Sequence, residues 1–252
     1  MNIVRSEWTK LRSVRSTWIT AFSTIASGIA LSVLGVSDLL TAPPSGLAPG
    51  WDPTALSLKG FLFAQLVIGM LGAFSVTPEY ASGMIGSSLS VVPSRSRLLI
   101  AKAVVVTAIA FATGLLTTFV SFTAVQLALG GAGIPAAGLT DPGVFGALVG
   151  ATLYLTLIAL IGMAVGVLTR SSTGSLAVLV GALLLVPALA PGLPGALGDF
   201  FGRYWPITAG QASYAVVPVD DAVAPGVGLL LLVAGAAAVN VAGHVSFRTR
   251  DV

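Results

Sequence analysis

The chain has 252 residues, 56% of them hydrophobic and 8% charged, with a formal net charge of +3. A soluble domain carries roughly 25% charged residues, and a water-soluble fold of this length has too little interior to hide so much apolar surface. The composition therefore requires lipid as the main solvent, which makes this an all-α integral membrane protein.

Residues 1–16 read as a helix lying on the membrane surface. At helical spacing Val4, Trp8, Leu11, Val14 and Trp18 share a side, edged by Arg5, Lys10 and Arg12. Glu7 and Arg15 interrupt that apolar arc. The plainer alternative is a basic flank that only sets orientation. The apolar run that follows is longer than a signal-peptide core of about 7–15 residues, so it reads as a retained first span.

Six stretches are long and apolar enough to cross about 30 Å of hydrocarbon: 18–40, 58–76, 98–129, 144–168, 175–197 and 227–247. The third is long enough to tilt or to extend past the bilayer. The fifth must kink or end at Pro187, Pro191 or Pro194. With the N-terminus inside, ten basic residues fall inside (Arg5, Lys10, Arg12, Arg15, Arg95, Arg97, Lys102, Arg170, Arg248, Arg250), and Lys59 and Arg203 fall outside. The positive-inside rule then places both termini in the cytoplasm. The whole of 1–252 reads as one transmembrane domain.

Between the second and third spans, Thr77 can cap a new helix, Pro78 suits its first turn, and Glu79 sits where the helix dipole favours an anion. A short helix over about 78–90 is expected, ending near Pro93. Its Met84, Ile85 and Leu89 are too apolar for an unoccupied loop. Either a groove in a partner protein receives them or the segment folds back on its own helices. On the outer side, the segment 194–225 carries Phe200, Phe201, Tyr204, Trp205 and Tyr214. These fit an interfacial aromatic belt, with a substrate gate as the alternative. Gly146 and Gly150, and Gly162 and Gly166, let the fourth span approach another helix closely, in this chain or a second one.

The chemistry of an enzyme or a self-powered pump is missing from the sequence. The three lysines are Lys10, Lys59 and Lys102, and none follows glycine, so there is no phosphate-binding loop for ATP. The single histidine, His244, has no ligand-spaced companions. No serine sits in a nucleophile-elbow pattern. The span centres hold no ionisable group, only Gln65, Gln126 and Asn240, whereas ion-coupled carriers keep such groups there despite their cost. The twelve basic residues are scattered and make no coherent face, so nucleic acid is not an expected partner. With no cysteine, disulfides and thiolate metal sites are excluded.

Three ordered segments resemble the permease subunits of type-2 ABC exporters, in a form common in high-GC Gram-positive bacteria. The first is Ser6-Glu-Trp-Thr-Lys-Leu-Arg12 followed by Arg15-Ser-Thr-Trp18, similar to the family's N-terminal elbow helix. The second runs from Glu79-Tyr-Ala-Ser-Gly83-Met-Ile through Pro93-Ser-Arg95 to Lys102, similar to an E…G-T…P-x-x-R…K region. It departs in having Met84 where the family usually has threonine. The third is Tyr204-Trp-Pro206-Ile-Thr-Ala-Gly210-Gln211, similar to a Y-L-P…A-G-Q segment between the fifth and sixth helices.

The resemblance implies a permease in a bacterial plasma membrane that pairs with a second permease, as a homo- or heterodimer, and with separate ATPase subunits. The chain itself would hold no cofactor; ATP and Mg would be bound by the ATPase. Residues 78–92 would form or adjoin the coupling helix, with Glu79, Gly83, Met84, Ile85, Leu89, Pro93, Arg95 and Lys102 as coupling residues. Glu79 would stand at the bilayer boundary, and Arg95 and Lys102 near the inner headgroups. Trp8, Lys10, Leu11, Arg12 and Trp18 would belong to the interfacial elbow in contact with lipid, and 198–225 to an extracytoplasmic segment. A membrane scaffold or sensor that transports nothing is the competing reading.

Overall fold

A computed structural model describes residues 3–41, 50–85, 94–217 and 221–249. Among these there are helices and no strand. Helix α1 (Ile3–Ser13) meets α2 (Arg15–Leu34) at Val14, whose extended backbone breaks the helix. The indole Nε1–H of Trp18 donates to the Arg12 carbonyl at 2.8 Å and closes this joint. Short helices α3 (Ser37–Thr41) and α4 (Pro53–Ser57) follow, then α5 (Phe61–Phe74), α6 (Thr77–Ala81) and α7 (Arg95–Gly131). Next come α8 (Val144–Thr169) and α9 (Ser172–Gly192). The outer segment contains α10 (Ala196–Asp199), continued by a π turn over Phe200–Tyr204, and α11 (Pro206–Gln211). The last helix is α12 (Pro225–Thr249).

Five of these, α2, α7, α8, α9 and α12, are long and apolar enough to cross a membrane. The expected second span corresponds to α5, which has only 14 residues. At 1.5 Å per residue it reaches about 21 Å. The turns at Leu58–Gly60 and Ser75–Val76 interrupt the regular helix at both ends, and α4 and α6 extend the chain beyond them.

Helix α8 is the centre of the bundle, packed by α5, α7, α9 and α12. Glycines set that packing. A Cβ at Gly72 would strike the Ala159 carbonyl, and one at Gly162 would strike the Gly69 carbonyl. Gly150 backs in the same way onto Ser213, whereas Gly146 faces open space. Three of the four small positions on the fourth span therefore contact this chain's own helices. The polar side chains within the spans also bond internally: Gln126 to Pro53 and Ser57, and Asn240 to Leu160 and Ala236.

In the fifth span, where a kink or end was expected at a proline, a π turn covers Gly181–Leu185, just ahead of Pro187. Pro187 has no N–H to give to the carbonyls one turn earlier. Two side chains donate there instead, Trp205 Nε1 to the Ala182 oxygen at 3.0 Å and Gln65 Nε2 to the Leu183 oxygen at 3.4 Å. Unsatisfied backbone in a hydrocarbon layer is costly, so a proline there needs such partners.

The outer aromatics divide. Phe200 and Tyr204 are exposed, and Phe201 meets Phe200 edge to face and Trp205 at a tilt. Tyr214 is half-buried and packs against Phe61 and Tyr154. Asp52 ties this end together: it caps α4 through Ala55 N–H and accepts from Val216 and Val217 N–H at 2.8 and 2.9 Å.

Candidate functional site

At the end of the bundle that carries most of the basic residues, α1, α6 and α7 converge on four alternating charges. Lys102, in the second turn of α7, donates to Glu7 Oε2 at 2.7 Å and to Glu79 Oε1 at 2.6 Å. Lys10 donates to the same Glu79 oxygen at 2.7 Å and to Glu7 Oε1 at 3.3 Å. Each lysine thus touches both glutamates and the cluster is neutral. The Lys102 and Glu7 side chains are 2% and 4% exposed, and Glu79 is 8% exposed. A third Lys102 bond goes to the Ser75 carbonyl at 3.3 Å.

Burial alone would lower the affinity of Lys10 for its proton. The hydrogen bond and charge of Glu79, helped by Glu7, outweigh it and hold Lys10 above its ordinary 10.5. Lys10 is therefore held as a cation by the two carboxylates it touches.

The arrangement departs from the expectations at several points. Lys102 is buried inside the protein. Glu7, read as a flaw in an apolar arc, is the residue that turns α1 toward the bundle, with Leu11 buried beside it. Trp8 and Trp18 face outward at 42% and 46% exposure, as do Val4 and Arg12. The expected helix over 78–90 is interrupted: the five-residue α6 gives way to a turn with Gly83 at φ +70, Met84 and Ile85 are helical again, and residues 86–90 lie outside the described residues. Past this turn Met84 is exposed and Ile85 is buried. Leu89 and Pro93 lie outside the described residues. Thr77 does not cap α6, whose cap position is Val76.

The opposite side of α6 meets the turn between α8 and α9. Thr77 Oγ1 and Ser172 Oγ are 2.8 Å apart. The Arg170 guanidinium lies over the Tyr80 ring, 5.1 Å from its centroid. Burial pushes the Tyr80 phenol up, and the neighbouring Arg170 only partly offsets this. Arg170 ends α8 in the left-handed region, at φ 53. That conformation costs an L residue about 1–2 kcal/mol and is usually given to glycine. Arg95, at the start of α7, donates to the Phe247 and Arg248 carbonyls at the end of α12, at 2.9 and 3.4 Å. A cation suits that helix terminus. The first turn of α7 also meets α12 through Ser96 and His244, 3.2 Å apart.

Among the described residues no group of His, Asp and Glu could hold a metal. What this end offers is mechanical: a five-residue helix held on one side by ion pairs to α1 and α7, and on the other by the α8–α9 turn. Glu7, Arg170 and Ser172 were not singled out as site residues from sequence.

A family model described as ABC-2 family transporter protein matches residues 3–186, from α1 well into α9. The chain belongs to that family. It is accordingly a membrane subunit of an ABC transporter, of the permease type. The match contains all four members of the charge cluster and the Arg170 turn. A search of curated proteins finds no match to the permease.

Proposed function

We propose that this permease forms half of the translocation pathway of an ATP-driven exporter and takes its energy from a separate ATPase seated at the basic end. That end is then cytoplasmic, as are both termini, in a bacterial plasma membrane. A second permease completes the pathway. The observation that carries the reading is the alternating cluster of Glu7, Lys102, Glu79 and Lys10. A helix of five residues has almost no stability of its own. Tethered by ion pairs to α1 and to the long α7, it tilts about that anchor when pushed, and the push is felt at its other contacts. Exposed Met84 beside it supplies an apolar contact for a partner. Glu7, Lys10, Glu79 and Lys102 hold the segment in place, while Gly83, Met84 and Ile85 approach the ATPase; Leu89, Pro93 and Arg95 complete the coupling region. ATP and Mg are bound and consumed by the ATPase, and this chain contributes no catalytic group.

The test is an affinity pull-down of the tagged chain in mild detergent, with partners identified by mass spectrometry. The expected result is a stoichiometric cytoplasmic protein with a phosphate-binding loop, lost on Met84→Glu. A preparation that retains a different membrane or cytoplasmic protein and no ATPase would instead make the chain a scaffold or sensor.

A further inference from the structure

We infer that the turn between α8 and α9 is where movement of α6 passes to the fifth span, with Arg170 and Ser172 as its positioning residues. The inference rests on the reading of α6 as the segment that an ATPase moves. Thr77 and Tyr80 are three residues apart on α6 and so share a face. Thr77 bonds Ser172 at 2.8 Å and Tyr80 lies under the Arg170 guanidinium. Glu79 points to Lys10 and Lys102 instead. One short helix therefore holds α1 and α7 by charge and the entrance to α9 by a hydroxyl pair and a stacked cation.

The backbone of the turn supports the same assignment. Arg170 occupies a left-handed position, φ 53, that glycine or asparagine would fill without strain. An arginine is held there against its backbone preference with its guanidinium over Tyr80, and strain of this kind is a reason to look for function. The turn is also stiff. Ser171 Oγ accepts from Gly174 N–H at 3.2 Å, and Thr169 Oγ1 lies 2.8 Å from Ser175 Oγ. Displacement at Arg170 is then carried into α9 rather than absorbed in a loop.

Helix α9 is built to respond. Only 22% of its most apolar stretch is buried, against 67% for α8. Midway it has the π turn over Gly181–Leu185, next to Pro187, which lacks the N–H for one backbone bond that a bend would otherwise break. The carbonyl at Ala182 is tied to Trp205, in the outer segment. Motion entering at Arg170 is thereby delivered to the outer face through one helix with a hinge.

The chain has no cysteine, so label sites can be introduced singly. One nitroxide pair at Val104→Cys and Leu176→Cys reports α9 against α7. A second at Ser82→Cys and Val104→Cys reports α6. Both positions on α7 and α9 are exposed. Distances are measured by pulsed electron resonance on the permease with its co-purified ATPase in lipid nanodiscs, with and without ATP and vanadate. In the otherwise unchanged chain the α9 pair should shift by about 2–5 Å. Arg170→Gly, which relaxes the turn and so keeps the fold, should reduce that shift by at least half while the α6 shift remains. Tyr80→Leu should do the same, and Tyr80→Phe, which keeps the ring, should restore it. An unreduced α9 shift in both Arg170→Gly and Tyr80→Leu would overturn the inference. A chain that shows no α6 shift before any of these substitutions, or that brings down no ATPase, removes the reading on which the inference rests.

Discussion

Replacing Lys102 by methionine keeps the length of the side chain and removes one of two ammonium groups from a closed set of four charges. Glu7 and Glu79 would then share Lys10 alone, in a site where the glutamate side chains are 4% and 8% exposed. Breaking a buried ion pair by removing one partner costs about 3–5 kcal/mol, because the remaining charge is uncompensated. For a chain of this size each kcal/mol lowers the melting temperature by about 2–4 °C, so a fall of about 6–20 °C is expected. Thermal melting of the purified protein in one detergent, followed by size-exclusion elution after heating, measures it. The decisive comparison is Lys102→Met with Glu79→Gln in the same chain. That double variant is neutral again, with Glu7 still paired to Lys10, and should recover about 0.5–3 kcal/mol relative to additive losses. A melting point for Lys102→Met within about 2 °C of the parent would refute the ion-pair account. So would a double variant at least as unstable as the sum of the two single ones. By the same reasoning Glu79→Ala should weaken the fold at this end as well as any coupling, because it leaves Lys102 with Glu7 alone.

Gly162→Leu should abolish a folded, monodisperse preparation, since its side chain would enter the Gly69 backbone, whereas Gly146→Leu, facing open space, should elute and melt like the parent. Gln65→Leu removes the donor to Leu183 and the partner of the buried Tyr154 hydroxyl, and should cost about 1–3 kcal/mol in melting experiments. The pH dependence at Lys10 has a definite sign: its folded value lies above 10.5, so its contribution is complete below 10.5 and is lost as pH rises through the folded value. The melting difference between the parent and Lys10→Met should therefore be constant from about pH 7 to 10 and shrink only above that. A difference that vanishes already near pH 8 would contradict the assignment of Glu79 as its partner.

The spans were legible because lipid imposes a length on apolar segments that composition alone reveals. The shortened α5 was not, since Leu58 and Val76, at the two ends of the apolar run 58–76, extend the apolar pattern although they lie in turns. Periodicity failed at Glu7 for a similar reason. A pattern of apolar positions treats a carboxylate among them as an error, yet this one faces Lys102, 95 positions away, and pairs with it. Arg170 was counted only toward orientation because nothing local signals a left-handed arginine. Thr77 was read as a cap from its neighbours in sequence, but its hydroxyl is taken by Ser172 across the bundle. The Gly162 and Gly166 spacing announced a close contact and left its partner open, and the α5 backbone supplies it.

The distribution of packing divides the molecule into parts that cannot yield and parts that can. Helices α5 and α8 meet backbone to backbone at Gly72 and Gly162, so sliding one past the other would force atoms into contact with no side chain to give way. Helix α7 is bound to that pair along α8 and anchored at its start to α12 by Arg95. Helix α9 is the contrast: its regular bonding is interrupted at Gly181–Leu185, and individual polar contacts tie it at its start, Ser172, and midway, Ala182. A neutral ring of charges suits the junction between these parts better than an apolar patch would. It holds α6 in one register through directional bonds, and it offers no apolar surface on which the small helix could slip. Under the proposed coupling, force applied near Met84 would have a rigid body to act against, α7 and α8, and the interrupted α9 to move.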